Sequence, residues 1–482
     1  MQLVVEQLQR RAAELERWLN AEVGPPADVR IVRDVAGAAS APAFDDHDAP
    51  LLRPGGDWRE PVNSTVWLRF RLRRPDAWPA SETALRAERF GTLPVEAGVP
   101  PRIGVELQRM QGLLYVDGQA YHGLDQYHRL IYLPEGPEYQ LAACIWTGFA
   151  EMEWQPNPVF RLVRVDTTAT PIWHDLRILA DALKALDIDD PAHTELERIA
   201  EAALLTIDWS YPGSEAFRAS LARAADGVRA RLSTTRAAAY EPTLTAVGHA
   251  HIDCAWLWPI AQTREKAART WSTALRLMDR YPDYTFLAST PLQYEMVKQD
   301  HPETFAGIRE RVRDGRWELV GGMWVEADCN LPDGESLARQ ILIGTRYFER
   351  EFGVRTSVVW LPDTFGFTWA LPTLMAAAGL RRFVTHKLSW SQTNQIPHDV
   401  FRWRGPDGSD VLAHLLCTPS LWPGERTTYN GTLLPSVAHG AWRRFADRDL
   451  HDELLVAFGY GDGGGGPSIE MLEGGQRLRN LP

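Results

Sequence analysis

Three hydrophobic patterns follow one another along the chain. Between residues 63 and 165, short stretches of alternating apolar and polar residues, such as 65–72, predict β-strands joined by Asp-Gly and Pro-rich turns. Over residues 173–234, leucines recur at steps of three and four, which predicts helices. We therefore predict an N-terminal β-rich domain at 1–170 and a helical connector at 171–239.

A third pattern begins near residue 240, where apolar runs alternate with helix-like segments. The predicted strands cover residues 244–247, 284–288, 317–320, 357–361, 383–385 and 454–458. The predicted helices cover residues 264–281, 292–314, 335–351 and 369–378. This alternation predicts an α/β domain at 240–482 with a parallel sheet or barrel. In such folds the chemistry collects at the carboxyl ends of the strands.

Composition excludes several classes of protein. A length of 482 residues implies two or three domains, and a net charge of −12 argues against nucleic acid or an anionic membrane as partner. The N-terminus lacks the basic start and apolar core of a secretory signal, and no uncharged apolar run is long enough to span a membrane. The 4 cysteines form no CxxC pair. A cytoplasmic enzyme is the predicted class.

The first candidate chemistry lies just past the strand predicted at 244–247. His251 and Asp253 stand at i and i+2, so on an extended backbone their side chains point to the same side. One imidazole and one carboxylate can then bind a single cation. Taken alone, this spacing is also ordinary for loop and cap residues.

Polar residues follow other predicted strands as well. They are Glu326 and Asp328 after the third strand, Asp363 after the fourth, His386 and Lys387 after the fifth, and Asp462 after the last. Each segment alone is typical of a solvated loop. Because parallel strands end at the same edge of a sheet, we expect these side chains to gather there. Several carboxylates, a histidine, a lysine and aromatic walls are typical of metal-assisted hydrolysis or glycosyl transfer.

Several of these segments resemble the zinc-dependent retaining α-mannosidases of glycoside hydrolase family 38. The matching blocks are GHAHID at 248–253, WLWP at 256–259, VGGMWVE at 320–326 and WLPDTFG at 360–366. The segments KLSW at 387–390 and FGYGDGGGGP at 458–467 resemble the cytosolic and vacuolar branch of that family rather than the Golgi branch. The resemblance implies a distorted (β/α)7-type barrel and hydrolysis of terminal α-linked mannose from oligosaccharides or glycoconjugates.

The resemblance also implies a metal site. His251 and Asp253 match two zinc ligands, and Asp363 matches the carboxylate that is both a ligand and the nucleophile forming a covalent glycosyl-Asp intermediate. His249 is expected to support this pair rather than to bind the metal. Zinc favours nitrogen and oxygen donors and can leave positions open for two sugar hydroxyls. Co²⁺ or another divalent ion is compatible with the same ligands.

Other matched residues are expected to contact an α-mannoside or oligomannose substrate. Trp256 and Phe365 match aromatic residues that line the bound sugar. Lys387 stands where the Golgi branch carries a substrate-pocket arginine. The 19 tryptophans agree with stacking on sugar rings, although ordinary packing accounts for most of them.

The acid/base residue is less sharply defined by the sequence. Asp462 is the first candidate because its glycine-rich surroundings allow the backbone to approach a ligand closely. Asp-Gly is also an ordinary turn former. Glu425, Glu326 and Asp328 are the alternatives.

The family takes a fourth zinc ligand, a histidine, from a segment that follows the part resembled here. No matching segment precedes Pro482, so we expect an N-terminal portion with a C-terminally incomplete barrel and little activity alone. Two alternatives remain: an impaired fragment that only binds mannosides, and a metal-dependent polysaccharide deacetylase, which would release acetate rather than mannose. The sequence leaves linkage specificity open and is compatible with a homo-oligomer.

Overall fold

The N-terminal part is built from two antiparallel sheets. The computed structural model describes residues 2–33, 37–58, 60–90, 110–148, 155–235, 242–421 and 426–482. The strands in the first part of the chain are β1 (Asn20–Pro26), β2 (Arg30–Val32), β3 (Asp57–Trp58), β4 (Thr65–Arg73), β5 (Thr83–Glu88), β6 (Gln111–Val116), β7 (Gln119–Leu124), β8 (Leu130–Tyr132), β9 (Glu138–Trp146), β10 (Gln155–Pro156) and β11 (Val159–Val165).

One sheet has the order β2-β4-β9-β6-β7 and the other the order β1-β11-β5-β8, while β3 pairs only with β10. The alternating pattern of β4 explains why the two larger sheets pack together. It places Val66, Leu68 and Phe70 on the same face of the strand, and all three are buried in the apolar core between the sheets. Phe70 of one sheet stacks on Phe160 of the other, with ring centroids 4.6 Å apart.

Four helices form a separate apolar core. They are α1 (Gln2–Leu15), α2 (Ala169–Ala185), α3 (Pro191–Thr206) and α4 (Glu215–Leu232). Leu176, Leu179 and Leu183 of α2 are buried in it, as their spacing of three and four residues requires. Helix α1 precedes the sheets in sequence, but its Leu8 and Leu15 are buried in this helical core.

The remaining part alternates strands and helices. Its strands are β12 (Thr243–His249), β13 (Phe286–Ala288), β14 (Trp317–Leu319), β15 (Val358–Leu361), β16 (Arg382–Thr385), β17 (Val400–Arg404), β18 (Asp410–Leu415) and β19 (Glu453–Phe458). Its helices are α5 (Ile260–Arg280), α6 (Pro291–Asp300), α7 (Pro302–Arg313), α8 (Gly334–Phe352), α9 (Leu371–Ala377), α10 (Pro435–Arg444) and α11 (Ile469–Leu478). The predicted α/β class is confirmed.

These strands form two sheets rather than one continuous sheet. The first is all parallel, with the order β14-β13-β12-β19, and the second has the order β15-β16-β18-β17, in which only β17 is antiparallel. The sheets face each other across an apolar cluster that contains Val247 and Leu287 from the first and Trp360 and Val384 from the second.

Three features of this part differ from the sequence prediction. The β17–β18 hairpin and α10 were not predicted, and the helix predicted at 292–314 is two helices. Pro302 explains the break, because proline lacks an N–H and disfavours a helical conformation in the residue before it. His301 accordingly has a non-helical backbone, with φ −138° and ψ 67°.

The helices in the described part of the chain include none that is both long enough and apolar enough to cross a membrane. The cysteines Cys144, Cys254, Cys329 and Cys417 are free thiols, as their spacing suggested.

Candidate metal and catalytic site

Four polar side chains converge at the carboxyl ends of three strands, two from the first sheet of the α/β part and one from the second. His251 and Asp253 follow β12, Asp363 follows β15 and Asp462 follows β19. One candidate ligand atom from each of the four lies within 4.8 Å of the others. The Nε2 atom of His251 is 3.3 Å from Oδ1 of Asp253 and 3.6 Å from Oδ2 of Asp363. The structure thus brings the predicted ligands together, and Asp462 with them.

The charges of this cluster fit a bound cation. Three carboxylates surround one imidazole, and like charges this close repel one another unless a positive charge lies between them. Burial alone would lower the pKa of His251, but the carboxylates of Glu326 and Asp253 raise it well above its ordinary value. A divalent cation would supply that positive charge and leave the ring neutral, as a metal ligand must be. The nitrogen and oxygen donors suit Zn²⁺.

Glu326 orients the histidine from outside the cluster. Its Oε2 atom is 2.8 Å from Nδ1 of His251, and Ser289 donates a hydrogen bond of 2.6 Å to its Oε1 atom. With Nδ1 engaged, Nε2 of His251 is the ring nitrogen that faces the cluster. Such a carboxylate behind a ligating histidine fixes the ring orientation and increases its basicity. Glu326 was one of the alternative acid/base residues named from the sequence. Its carboxylate is instead paired with the imidazole of His251.

His249 lies beside the cluster but is not part of it. Trp360 donates a hydrogen bond of 3.1 Å from Nε1 to Nε2 of His249, so this nitrogen is an acceptor. Burial and the nearby His251 lower the pKa of His249 to about 3. The ring is thus neutral, and its Nε2 atom already accepts a hydrogen bond from Trp360.

Lys387 forms an ion pair with the predicted nucleophile. Its Nζ atom is 2.7 Å from Oδ1 of Asp363. The same ammonium lies 3.2 Å from the ring centroid of Trp390 and 4.8 Å from that of Phe365. Phe365 and Trp390 are exposed and meet edge to face, with centroids 6.1 Å apart. Together they form an aromatic wall beside the carboxylate.

Trp256 lies in the loop that follows the His251 and Asp253 pair. Its side chain is exposed and meets the ring of Trp258 edge to face at 6.0 Å. The face of an exposed indole is free to stack on an apolar or ring-shaped partner.

Tyr429 is a site residue that the sequence did not reveal. It donates a hydrogen bond of 2.6 Å to Oδ1 of Asp462, and its ring packs edge to face on His251 at 5.5 Å. Burial raises the pKa of the Asp462 carboxyl to about 6. Tyr429 lies between β18 and α10, where the described residues form isolated bridges but no helix or named strand, so no periodic pattern marks it. The Asn430-Gly431 dipeptide beside it is typical of turns, but Gly431 forms a bridge with Phe458.

The other predicted site residues lie apart from the cluster. Asp328 is exposed and accepts hydrogen bonds from the backbone N–H groups of Asn330 and Leu331, which lower its pKa. It is therefore a loop-capping residue rather than a candidate acid. His386 is buried and contacts the hydroxyl of Thr427 at 3.0 Å. Glu425 lies outside the described residues.

Comparison with known proteins agrees with these motifs. The family model "Glycosyl hydrolases family 38 N-terminal domain" matches residues 241–482. Alpha-mannosidase 2C1 of Homo sapiens is 35% identical over 449 residues, which cover 88% of this chain and 40% of that protein. An alpha-mannosidase of Saccharomyces cerevisiae is 41% identical over 239 residues, which cover 49% of this chain and 21% of that protein.

Among solved structures, an alpha-mannosidase from Enterococcus faecalis V583 overlaps 50% of this chain and 27% of its own length, with a TM-score of 0.41 and 19% identity. The chain spans 40% and 21% of the lengths of the two alpha-mannosidases from Homo sapiens and Saccharomyces cerevisiae. The family match nevertheless covers half of the chain and includes the whole cluster of His251, Asp253, Asp363 and Asp462. It confirms the resemblance given by the sequence motifs: the chain belongs to glycoside hydrolase family 38, to which α-mannosidases belong.

Proposed function

We propose that this chain carries the site of a zinc-dependent retaining α-mannosidase, which removes terminal α-linked mannose from oligosaccharides or glycoconjugates. The observation that carries the proposal is the convergence of His251, Asp253, Asp363 and Asp462 within 4.8 Å. We interpret the two facing sheets as a distorted (β/α)7-type barrel, since together they contain seven parallel strands.

His251, Asp253 and Asp363 would hold the zinc ion. When bound, Zn²⁺ acts as a Lewis acid that can bind two neighbouring sugar hydroxyls, a role that the axial 2-hydroxyl of mannose suits. Glu326 keeps Nε2 of His251 turned toward that position through its contact with Nδ1.

Asp363 is the proposed nucleophile. Lys387 holds its Oδ1 atom, while Oδ2 faces His251. Attack of this carboxylate on C1 of the mannoside breaks the glycosidic bond and forms a covalent glycosyl-Asp363 ester. Water then cleaves the ester and releases mannose with its configuration retained.

Asp462 is the proposed acid/base. In the first step its protonated carboxyl group gives a proton to the leaving oxygen, and in the second its carboxylate takes a proton from water. Its raised pKa, about 6, suits both roles near neutral pH. Oxygens of Asp363 and Asp462 lie within 4.8 Å, which is closer to the spacing of about 5–5.5 Å in retaining enzymes than to the roughly 6.5–9.5 Å of inverting ones.

The aromatic residues would bind the sugar. Phe365 and Trp256 present exposed rings that can stack on a pyranose. Lys387 is placed to donate to a sugar hydroxyl from the edge of Asp363.

The central test is an Asp363→Asn variant of the zinc-loaded protein, assayed with 4-methylumbelliferyl α-mannoside, whose fluorescent product makes even the low activity expected of this chain alone measurable. We expect hydrolysis to fall roughly 10³- to 10⁴-fold, a loss typical of removing a catalytic carboxylate. Asp328→Asn, which changes an exposed carboxylate of the same region, is the control and should retain activity.

A second experiment uses a 5-fluoro-mannosyl fluoride, which should label Asp363, and mass spectrometry identifies the labelled residue. Equal hydrolysis by Asp363→Asn and wild type would refute the nucleophile. Mannoside binding without release of mannose, or release of acetate from an acetylated oligosaccharide, would favour the two alternative functions.

A further inference from the structure

A buried ion cluster joins the N-terminal sheets to the glycine-rich loop (residues 459–467) that carries Asp462. Asp125, which follows β7, contacts Nδ1 of His128 at 2.8 Å and Nη1 of Arg269 at 2.9 Å. Arg269 lies on α5, so the cluster connects two parts of the fold. The three residues are only 2–4% exposed, which excludes water as their main partner.

The cluster holds the glycine-rich loop at two points. His128 donates from Nε2 to the carbonyl oxygen of Pro467 at 2.9 Å, and Arg269 donates from Nη2 to the carbonyl oxygen of Gly463. Since a carbonyl and a carboxylate oxygen only accept, both ring nitrogens of His128 must donate, and the ring is the cation. Burial opposes this charge, but Asp125 raises the pKa of His128.

The sequence of the loop permits this close approach. A Cβ atom at Gly465 would lie 2.5 Å from Oδ2 of Asp125, and the φ of Gly465 is +98°, a value that favours glycine. Asp462 itself has φ +56°, which is uncommon for a residue with a side chain. Hydrogen bonds within the loop, between Tyr460 and Gly466, and the contacts from outside it together hold this conformation.

We propose that Asp125, His128 and Arg269 are positioning residues, which hold the glycine-rich loop so that the carboxyl group of Asp462 faces Asp363. This inference rests on the proposed function, in which Asp462 is the acid/base. None of the three touches the reacting atoms. The N-terminal sheets thus supply a necessary part of the site through the residues that follow β7.

A misplaced acid has a recognisable kinetic effect. Proton donation matters most when the leaving group is poor and hardly at all when it is activated. Loss of positioning should therefore slow the hydrolysis of phenyl α-mannoside much more than that of 2,4-dinitrophenyl α-mannoside. A general loss of structure would slow both.

The experiment uses the zinc-loaded protein and the variants Asp125→Asn, His128→Gln and Asp462→Asn. The matched control is Asp300→Asn, which breaks the exposed pair with Arg264 of the same helix α5, at 2.7 Å. Amide hydrogen exchange of residues 459–467 is measured, together with kcat/KM for both aryl mannosides, since kcat/KM reports the step in which the leaving group departs. For Asp125→Asn we expect roughly tenfold faster loop exchange, about 10²-fold slower phenyl mannoside hydrolysis, and less than roughly threefold loss with the activated substrate.

His128→Gln retains a donor for the carbonyl oxygen of Pro467, so its changes in loop exchange and in phenyl mannoside hydrolysis should be smaller than those of Asp125→Asn. If Asp125→Asn does not fold, His128→Gln is the variant that tests the proposal. Unchanged loop exchange in both variants would overturn the proposal, and this measurement needs no turnover. Faster exchange with equal losses for both substrates would also overturn it, since the role would then be structural alone. Full hydrolysis of phenyl mannoside by Asp462→Asn would instead refute the acid in the proposed function, which separates the two failures.

Discussion

At the scale of single residues, the site depends on which nitrogen of His251 faces its centre. The sequence predicted that His251, Asp253, Asp363 and Asp462 would gather, because each follows a strand of a parallel sheet. It could not predict the partner of Nδ1, since Glu326 reaches that atom only when two strand ends lie side by side. A motif states which residues are present, whereas their contacts depend on the fold.

A Glu326→Gln substitution tests this contact. We expect the affinity for Zn²⁺ to fall about 10–100-fold, because the ring loses the charge that orients it and increases its basicity. Competition with a chromophoric chelator measures the change. Asp328→Asn should bind as wild type does. Unchanged zinc affinity in Glu326→Gln would mean that the carboxylate does not support the metal site.

The buried pair of Asp125 and His128 predicts a pH-dependent stability. Although burial opposes ionisation, His128 and Arg269 lower the pKa of Asp125 to about 2, while the pKa of His128 is raised. The contribution of His128 is complete below its unfolded value of about 6.5 and is lost as the pH rises through its folded value. That of Asp125 is present above about 3.9 and is lost as the pH falls toward 2.

The difference in unfolding free energy between wild type and His128→Gln should therefore be largest between about pH 4 and 6.5 and should shrink at higher pH. Urea denaturation at a series of pH values measures it. A difference that grows from pH 6 to pH 9 would contradict a charged His128.

At the scale of secondary-structure elements, long periodic segments were predicted well and short strands less well. Helix α5 was expected at 264–281 and spans Ile260–Arg280. The β17–β18 hairpin was missed, although Asp407-Gly408 marks its turn and residues 401–404 alternate in burial. Its second strand, β18, is one of the two parallel partners of β16, the other being β15. Recognising the turn would therefore have identified a further strand of this sheet.

Helix α10 provides an element-scale prediction. The carboxylate of Asp181, on α2, accepts hydrogen bonds from the backbone N–H and the hydroxyl of Ser436 at 2.7 and 3.1 Å, and so caps the first turn of α10. Asp181→Ala should cost about 1 kcal/mol and speed amide exchange in that turn. Asp189→Ala, an exposed residue after α2, is the control. Equal exchange in both variants would show that this cap contributes nothing.

At the scale of the whole molecule, the sequence predicted three successive patterns but not how the parts meet. Helix α1 contains Val5, Leu8, Ala12 and Leu15 at helical spacing, yet nothing local shows that they pack on α2. The hydrogen bond of 2.8 Å from the backbone N–H of Gly123 to Oγ1 of Thr273 likewise joins β7 to α5 across a long stretch of sequence. Such contacts depend on how the surfaces of helices and sheets pack against each other, which no local sequence pattern predicts.

Metal binding should stabilise the catalytic part as a unit. The proposed ligands follow β12 and β15, which belong to different sheets, so the ion should bind only the folded chain. Zn²⁺ at about 100 times its Kd should then add about 2.7 kcal/mol to the free energy of unfolding. Calorimetry with Zn²⁺ and with EDTA measures the shift in Tm. The increase in Tm should be absent in His251→Ala. Mg²⁺ should raise Tm only slightly in the wild type, since it prefers all-oxygen sites. An equal zinc-induced shift in His251→Ala would place the ion elsewhere.

The pairing of β12 with β19 also constrains biosynthesis. These are the first and last strands of the first parallel sheet in chain order, and they pair from Thr243 with Glu453 to Gly248 with Phe458. On the ribosome, β12 emerges long before its neighbour, so one edge of it has no partner while translation continues. An unpaired strand edge is a template for aggregation. We therefore expect the nascent chain to pass through an aggregation-prone stage, and the catalytic site to gain its proposed acid/base, Asp462, only after β19 has emerged.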